Sequence, residues 1–247
     1  MVSRDRETTG SLPSALNWKE LMSSASDIGG LLDQPEPDID LGRAALLLAR
    51  TEYPDLDLET EIGRLDRLAA QSAPLVKSEA DPAARVGALR HFLAGICGFH
   101  GNEDDYYDPK NSFLNHVLER RTGIPITLSV VYMEIGRRLG VPLSGVGLPG
   151  HFLVKYAESG NAFFLDPFHG GRTVTPQGCR ELVAQMYQGE IRFQDVFLAP
   201  VDKKYIVIRM LNNLRRIYLG QRQLRKALAV VEMILAIQPA SAGDLKQ

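Results

Sequence analysis

Apolar positions recur at helical spacing through the first hundred residues. Leu41, Ala45, Leu48 and Ala49 share one face and run out near Tyr53-Pro54. Leu58, Ile62, Leu65, Leu68 and Ala69 define a second helix. Asp81-Pro82 opens a third, with Val86, Leu89, Leu93 and Ile96 along one side, because proline fits a first helical turn. Ahead of these, residues 1–12 are rich in Ser, Thr and Gly and read as mobile. A short helix over 14–24 carries Trp18, and 29–38, with Gly-Gly followed by two prolines, reads as a linker or turn.

The period then changes twice. Residues 98–111 form a polar loop, after which Asn111 or Ser112 is placed to cap a helix over 113–120. Gly123-Ile124-Pro125 breaks the chain. Leu128, Val131, Tyr132, Ile135 and Leu139 follow with almost no charge before Glu134, which predicts a buried central helix stopped at Gly140. Short alternating segments at 142–148, 151–157, 161–166 and 170–174 read as strands, with a further extended piece at 195–201. Helical spacing returns with Val207, Met210, Leu211, Leu214, Ile217 and Tyr218. After a turn at Gly220 it continues with Leu224, Ala227, Leu228, Val231 and Leu235, up to Pro239. The pattern predicts an α+β core over 39–200, an N-terminal segment 1–38 and an all-α helix pair over 201–247.

Composition narrows the function classes. With 247 residues, 45% hydrophobic and 23% charged, the chain can bury a core and is neither a disordered tail nor a fibre. Its formal charge of −2 points to neither nucleic acid nor an anionic membrane. Two cysteines, Cys97 and Cys179, cannot build a disulfide or metal framework. The polar start shows no secretory signal, and the longest apolar stretch, about 124–135, is too short to span a bilayer, so a cytoplasmic location is expected. Charge is nonetheless segregated: residues 33–66 hold ten acids against three bases, while 203–226 hold eight bases and no acid. The two segments either pack on each other or leave Arg215, Arg216, Arg222 and Arg225 as a docking face for an acidic protein partner.

The chemistry concentrates in 123–168. A hairpin symmetric about Glu158-Ser159 puts His151 directly across from Asp166, on one face and within side-chain reach. An imidazole held by a carboxylate is the base-and-orienter arrangement of nucleophilic catalysis. Such a site needs a thiolate, best placed at the N-terminus of a buried helix. The helix is there, but positions 123–129 read Gly-Ile-Pro-Ile-Thr-Leu-Ser. No metal or cofactor is expected. The histidines show no zinc spacing, and the acidic loop 102–108 lacks the pattern of a calcium loop. Residues 145–150 match G-x-G-x-x-G but open a strand rather than a helix.

The stretch RRLGVPLSGVGLPGHFLVKY (137–156) followed by FFLDPF (163–168) resembles the transglutaminase-like superfamily. The resemblance implies a papain-like α+β fold, a central helix on an antiparallel sheet. It also implies a cysteine at the helix start, a histidine opening one strand and an aspartate ending the next. His151 and Asp166 match; the cysteine position falls on Pro125 or within one residue of it. GNEDDYYDPKNSFLNHVLERRTGIPITLSVVY (101–132) looks like the signature of the bacterial invasion-regulator branch, whose members carry C-terminal tetratricopeptide-type helices and whose related domains occur in some F-box proteins. The helix pair over 205–239 then looks like one tetratricopeptide unit.

The expected function is therefore a non-catalytic binding or scaffolding protein with a vestigial His151–Asp166 dyad, and with Tyr106, Tyr107 and Asn111 bordering a groove for a peptide. The alternative is a hydrolase or acyl transferase in which Thr127 or Ser129 replaces the thiol and His151 is the base. A hydroxyl has a far higher pKa than a thiol, so capping or core hydrogen bonding is the expected role of both. Cys97 reads as a small buried side chain, and Cys179 as a helix-start residue with no role.

Overall fold

The computed structural model describes residues 18–158 and 161–238. Five helices form the first half of the fold. The first, α1 (Trp18–Leu32), extends past the expected end and takes in Gly29 and Gly30, which the sequence assigns to a linker. Two mid-helix glycines cost about 1 kcal/mol each. Burial of Ile28 and Leu32 against the rest of the core offsets that cost.

Helices α2 (Leu41–Ala49) and α3 (Leu58–Lys77) start at aspartates. Asp40 accepts from the Arg43 amide, and Asp57 from those of Glu59 and Thr60. Helix α4 (Pro82–Arg90) is capped by Asp81 and widens into a π turn, His91–Ile96. Strand β1 (His100–Gly101) pairs in parallel with β2 (Thr122–Gly123). Between them lie a 3₁₀ turn, Pro109–Ser112, and α5 (Leu114–Arg120). Neither Asn111 nor Ser112 caps α5. Its first residue follows Phe113, which has no side-chain cap, because both polar residues are already inside the 3₁₀ turn.

Helix α6 (Pro125–Leu139) is the centre of the molecule. Every residue from Pro125 to Gly136 is buried, and Gly140 closes the helix in the left-handed region at φ 70°. Five strands follow in an antiparallel sheet ordered β6-β5-β4-β3-β7. They are β3 (Leu143–Val146), β4 (Leu153–Glu158), β5 (Asn161–Asp166), β6 (Arg172–Val174) and β7 (Pro200–Val201). Alternation along β4 sorts the two faces. Val154 and Tyr156 join the main core with α6, while Leu153 joins Phe164 and Val174 under α7 (Pro176–Met186). The extended piece expected at 195–201 is mostly a 3₁₀ turn, Asp195–Leu198, with pairing only at Pro200 and Val201. Ser159 and Gly160, in the expected hairpin turn, lie outside the described residues, as do residues 1–17 and 239–247.

Helices α8 (Lys203–Gly220) and α9 (Leu224–Ile237) complete the fold. They pack on α1, α2 and α6, and Met210, Leu214, Val230 and Met233 belong to the same hydrophobic cluster as Leu46 and Val130. The acidic and basic runs meet at this contact. Lys203 Nζ donates to the carbonyls of Glu36 and Ile39, Lys204 lies 3.5 Å from Asp33, and Lys226 is 2.8 Å from Glu52. Among the described residues no helix is long and apolar enough to cross a membrane.

Candidate functional site

His151 and Asp166 meet, but not through the expected register. Val154 pairs with Leu165 and Lys155 with Phe164, which puts Leu153, not His151, level with Asp166. The difference is two residues. Side chains alternate with period two, so the slip preserves the face, and a slip of one would have reversed it. His151 reaches the carboxylate from the loop before β4, after Gly150 at φ 71°. Its Nε2 lies 2.9 Å from Asp166 Oδ1, with both side chains buried.

Asp166 is the hub of this cluster. Oδ2 accepts from His169 Nδ1 at 2.6 Å and from Arg172 Nη2 at 3.3 Å. Burial alone would raise the carboxyl pKa. Hydrogen bonding and charge from His151 and then His169 outweigh it and hold the group at about 2. An ionised carboxylate only accepts, so His151 carries its proton on Nε2 and His169 on Nδ1. In the neutral ring of His151, Nδ1 is then a lone-pair acceptor, and among the described residues nothing is bonded to it. His151, Asp166 and His169 offer ligand atoms within 4.8 Å of one another, a spacing a metal ion can use. However, both Asp166 oxygens are engaged, and the Arg172 guanidinium lies 3.5 Å from His169 Nδ1. That arrangement favours a hydrogen-bonded bridge over a cation.

A groove of about 1420 Å³ opens over this cluster. The start of α6 at Pro125, the loop at His151, and Phe168 form part of its floor. Phe168 meets His151 and Tyr106 edge-on at 6.2 and 5.9 Å, and lies so close to Gly101 that a Cβ there would be 2.5 Å from the ring. Tyr106 and Tyr107 border it, as do Arg215 and Arg216 on α8. Asn111 is elsewhere. It is fully buried, donating to the carbonyls of Asp105 and Tyr106 and accepting from Asn102, so it shapes the tyrosine loop from behind. Arg222 and Arg225 are exposed beyond the groove, around the α8–α9 turn.

The sequence model for the transglutaminase-like superfamily matches residues 59–212, which include Pro125, His151, Asp166 and the α8 wall. The chain belongs to the transglutaminase-like superfamily. Its relatives include a UPF0162 protein of Xylella fastidiosa (strain 9a5c), 38% identical over 209 residues, covering 82% of this chain and 73% of that protein. A UPF0162 protein of Pseudomonas aeruginosa is 31% identical over 204 residues, covering 83% and 74%. Human F-box only protein 21 is 33% identical over 146 residues, 56% of this chain but 22% of that much longer protein. No solved structure matches the chain significantly.

In this transglutaminase-like chain the start of the central helix carries no group that ionises near neutrality. Pro125 is the first helical residue. Ser129 Oγ donates to the Pro125 carbonyl at 2.8 Å and is sealed in the core. Thr127 is likewise fully buried, its hydroxyl without a partner, and neither residue borders the groove. The two thiols are not poised to react. Burial raises the pKa of Cys97, with Arg121 opposing, and burial together with the Asp166 charge pushes Cys179 up to about 11.

Two contributors escape a reading of the sequence as a site. Arg209 Nη2 donates to the carbonyls of Leu148 and His151 at 2.6 and 2.7 Å, and the guanidinium stacks over Phe152. It straps the His151 loop from a helix position 58 residues away, so nothing local announces it. His169 does have a local signal. In the 3₁₀ turn Pro167–His169, residues three apart stack, which brings His169 back onto Asp166. Replacing Arg209 by alanine strips two carbonyls of a charged donor. Urea denaturation should show a loss of about 1–3 kcal/mol.

Proposed function

We propose that this chain is a non-catalytic member of its superfamily, a binding or scaffolding protein with a regulatory role, whose groove at His151 holds a peptide segment of another protein. One observation carries the reading. Pro125 occupies the helix start that faces the groove, where the resemblance calls for the nucleophilic cysteine. The dyad beside it keeps the geometry of a base and its orienter but has nothing to activate. A neutral imidazole that spends its Nε2 proton on Asp166 can still receive a hydrogen bond at Nδ1 from a peptide N–H.

Central α6, buried against an antiparallel sheet, suits the papain-like arrangement. The α8–α9 pair, with small Ala227 buried at its contact, suits one tetratricopeptide-like unit. The 101–132 signature favours the invasion-regulator branch. Relatives named as F-box proteins favour a role in protein interaction. The hydroxyl-nucleophile alternative loses ground because the Ser129 hydroxyl is spent on a backbone carbonyl and Thr127 is walled off.

Intact-protein mass spectrometry after incubation with an activated acyl ester tests this reading. The protein should emerge without an acyl adduct at Thr127 or Ser129. An adduct at either residue that disappears in His151→Ala would overturn it.

A further inference from the structure

The basic run of α8 and the His151 groove are one surface. The lysines at its ends are consumed by the α1–α2 segment, where Lys203 meets backbone carbonyls, Lys204 lies near Asp33 and Lys226 near Glu52. Of the five arginines in the run, Arg209, Arg215 and Arg216 line the groove. Tyr205, Arg209, Asn212 and Arg216 recur at i, i+4, i+7 and i+11, a single stripe along the helix. Arg215 and Asn213 flank it. Among the described residues, the side chains of Arg215, Arg216, Asn212 and Asn213 make no ion pair or hydrogen bond.

Two tyrosines, Tyr106 and Tyr107, also border the groove. Burial and then Tyr107 raise the Tyr106 hydroxyl pKa, while the nearby Arg209 and Arg216 guanidiniums pull it down. Two acids also border it. Asp202 is committed to the Tyr205 amide at 2.6 Å, and Glu103 lies 4.0 Å from His169. Among the described residues, Arg215 and Arg216 on the α8 wall have no acidic partner.

We propose that the groove takes an extended acidic peptide, with its carboxylates on Arg215 and Arg216, its backbone on the amides of Asn212 and Asn213, and its inner end at His151. This rests on the reading of the groove as a binding site and names the chemistry of the occupant. Three observations select it. The volume of about 1420 Å³ exceeds the ~300–1,000 Å³ usual for small-molecule pockets, so a chain segment fits better than a metabolite. Side-chain amides both donate and accept, as a peptide backbone requires. Unpaired guanidiniums favour carboxylates over neutral or basic side chains. The stripe is short and the whole chain carries a net charge of −2, which disfavours nucleic acid.

Fluorescence polarisation with a fluorescein-labelled hexaglutamate peptide tests the proposal, alongside hexaglutamine, hexalysine and an oligothymidylate of similar length. Hexaglutamate should bind about tenfold or more tightly than hexaglutamine, weaken as salt rises, and lose about tenfold or more in Arg215→Glu/Arg216→Glu. Arg222→Glu/Arg225→Glu, outside the groove, should stay within about twofold. Circular dichroism melts check that each variant is folded. Equal binding of hexaglutamate and hexaglutamine, both lost in Arg215→Glu/Arg216→Glu, overturns the acidic preference and leaves the groove as a peptide site. Tighter binding of the oligothymidylate overturns the choice of peptide. No binding by any probe overturns both the acidic occupant and the peptide groove, whereas an acyl adduct would remove only the non-catalytic reading.

Discussion

Asp166→Ala should lower the free energy of unfolding by about 3–5 kcal/mol, the cost of removing one partner from a buried charged pair. The side chain is fully buried and engages His151, His169 and Arg172. Its loss leaves the His151 Nε2–H, itself in a buried residue, without an acceptor. Asp166→Asn keeps the shape but points a donor at one imidazole N–H, so it should fall between wild type and alanine. The urea midpoint at unchanged slope reads the difference. A loss below about 1 kcal/mol would show that the hub does not hold the site together.

The same carboxylate sets an acid limit. Its folded pKa of about 2 lies below the 3.8 of an ordinary aspartate. A depressed carboxyl adds stability above its unfolded pKa and gives that stability back as the pH falls through its folded value. The contribution, about 2 kcal/mol, should therefore be complete above about pH 4 and fade toward pH 2. Unfolding curves of wild type and Asp166→Asn should converge over that window and run parallel above it. Parallel curves throughout would mean that Asp166 is not held low.

Pro125→Cys should create a reactive thiol where none exists. The added N–H lies at the open end of α6, where no intrahelical partner is required, so the helix tolerates the change. The new sulfur would sit at a buried helix start, in the groove that His151 borders. Those two influences lower a thiol below its ordinary ~8.5. Alkylation by iodoacetamide near pH 6.5 should run about a hundredfold faster than at Cys97 or Cys179, whose pKa values burial raises. His151→Ala in that background should cancel much of the gain. A thiol introduced by Pro125→Cys that is indifferent to His151 would move the vacant nucleophile position away from Pro125.

What a linear reading could see depended on the range of the interactions. Helix starts were legible where an aspartate sits just before an apolar face, as at Asp40, Asp57 and Asp81, because capping is local. The end of α1 was misread because Gly29 and Gly30 obey a propensity that Ile28 and Leu32 override through contacts far along the chain. Asn111 carries a cap-forming side chain, yet it is spent on the carbonyls of its own loop. The hairpin register was two residues out because the symmetry was centred one residue too early. His151 still meets Asp166, reaching it from the loop two residues ahead of Leu153. The basic run divides between packing and groove, and only the folded positions of Glu36, Asp33 and Glu52 decide which residue goes where. The strap from Arg209 needed the fold itself.

The most direct measurement is turnover. The purified chain should be incubated with a glutamine-bearing protein and an amine donor, and separately with peptide substrates, beside its His151→Ala variant. The account predicts no amine incorporation and no cleavage above the variant's background in either assay. Turnover that His151→Ala abolishes would contradict it.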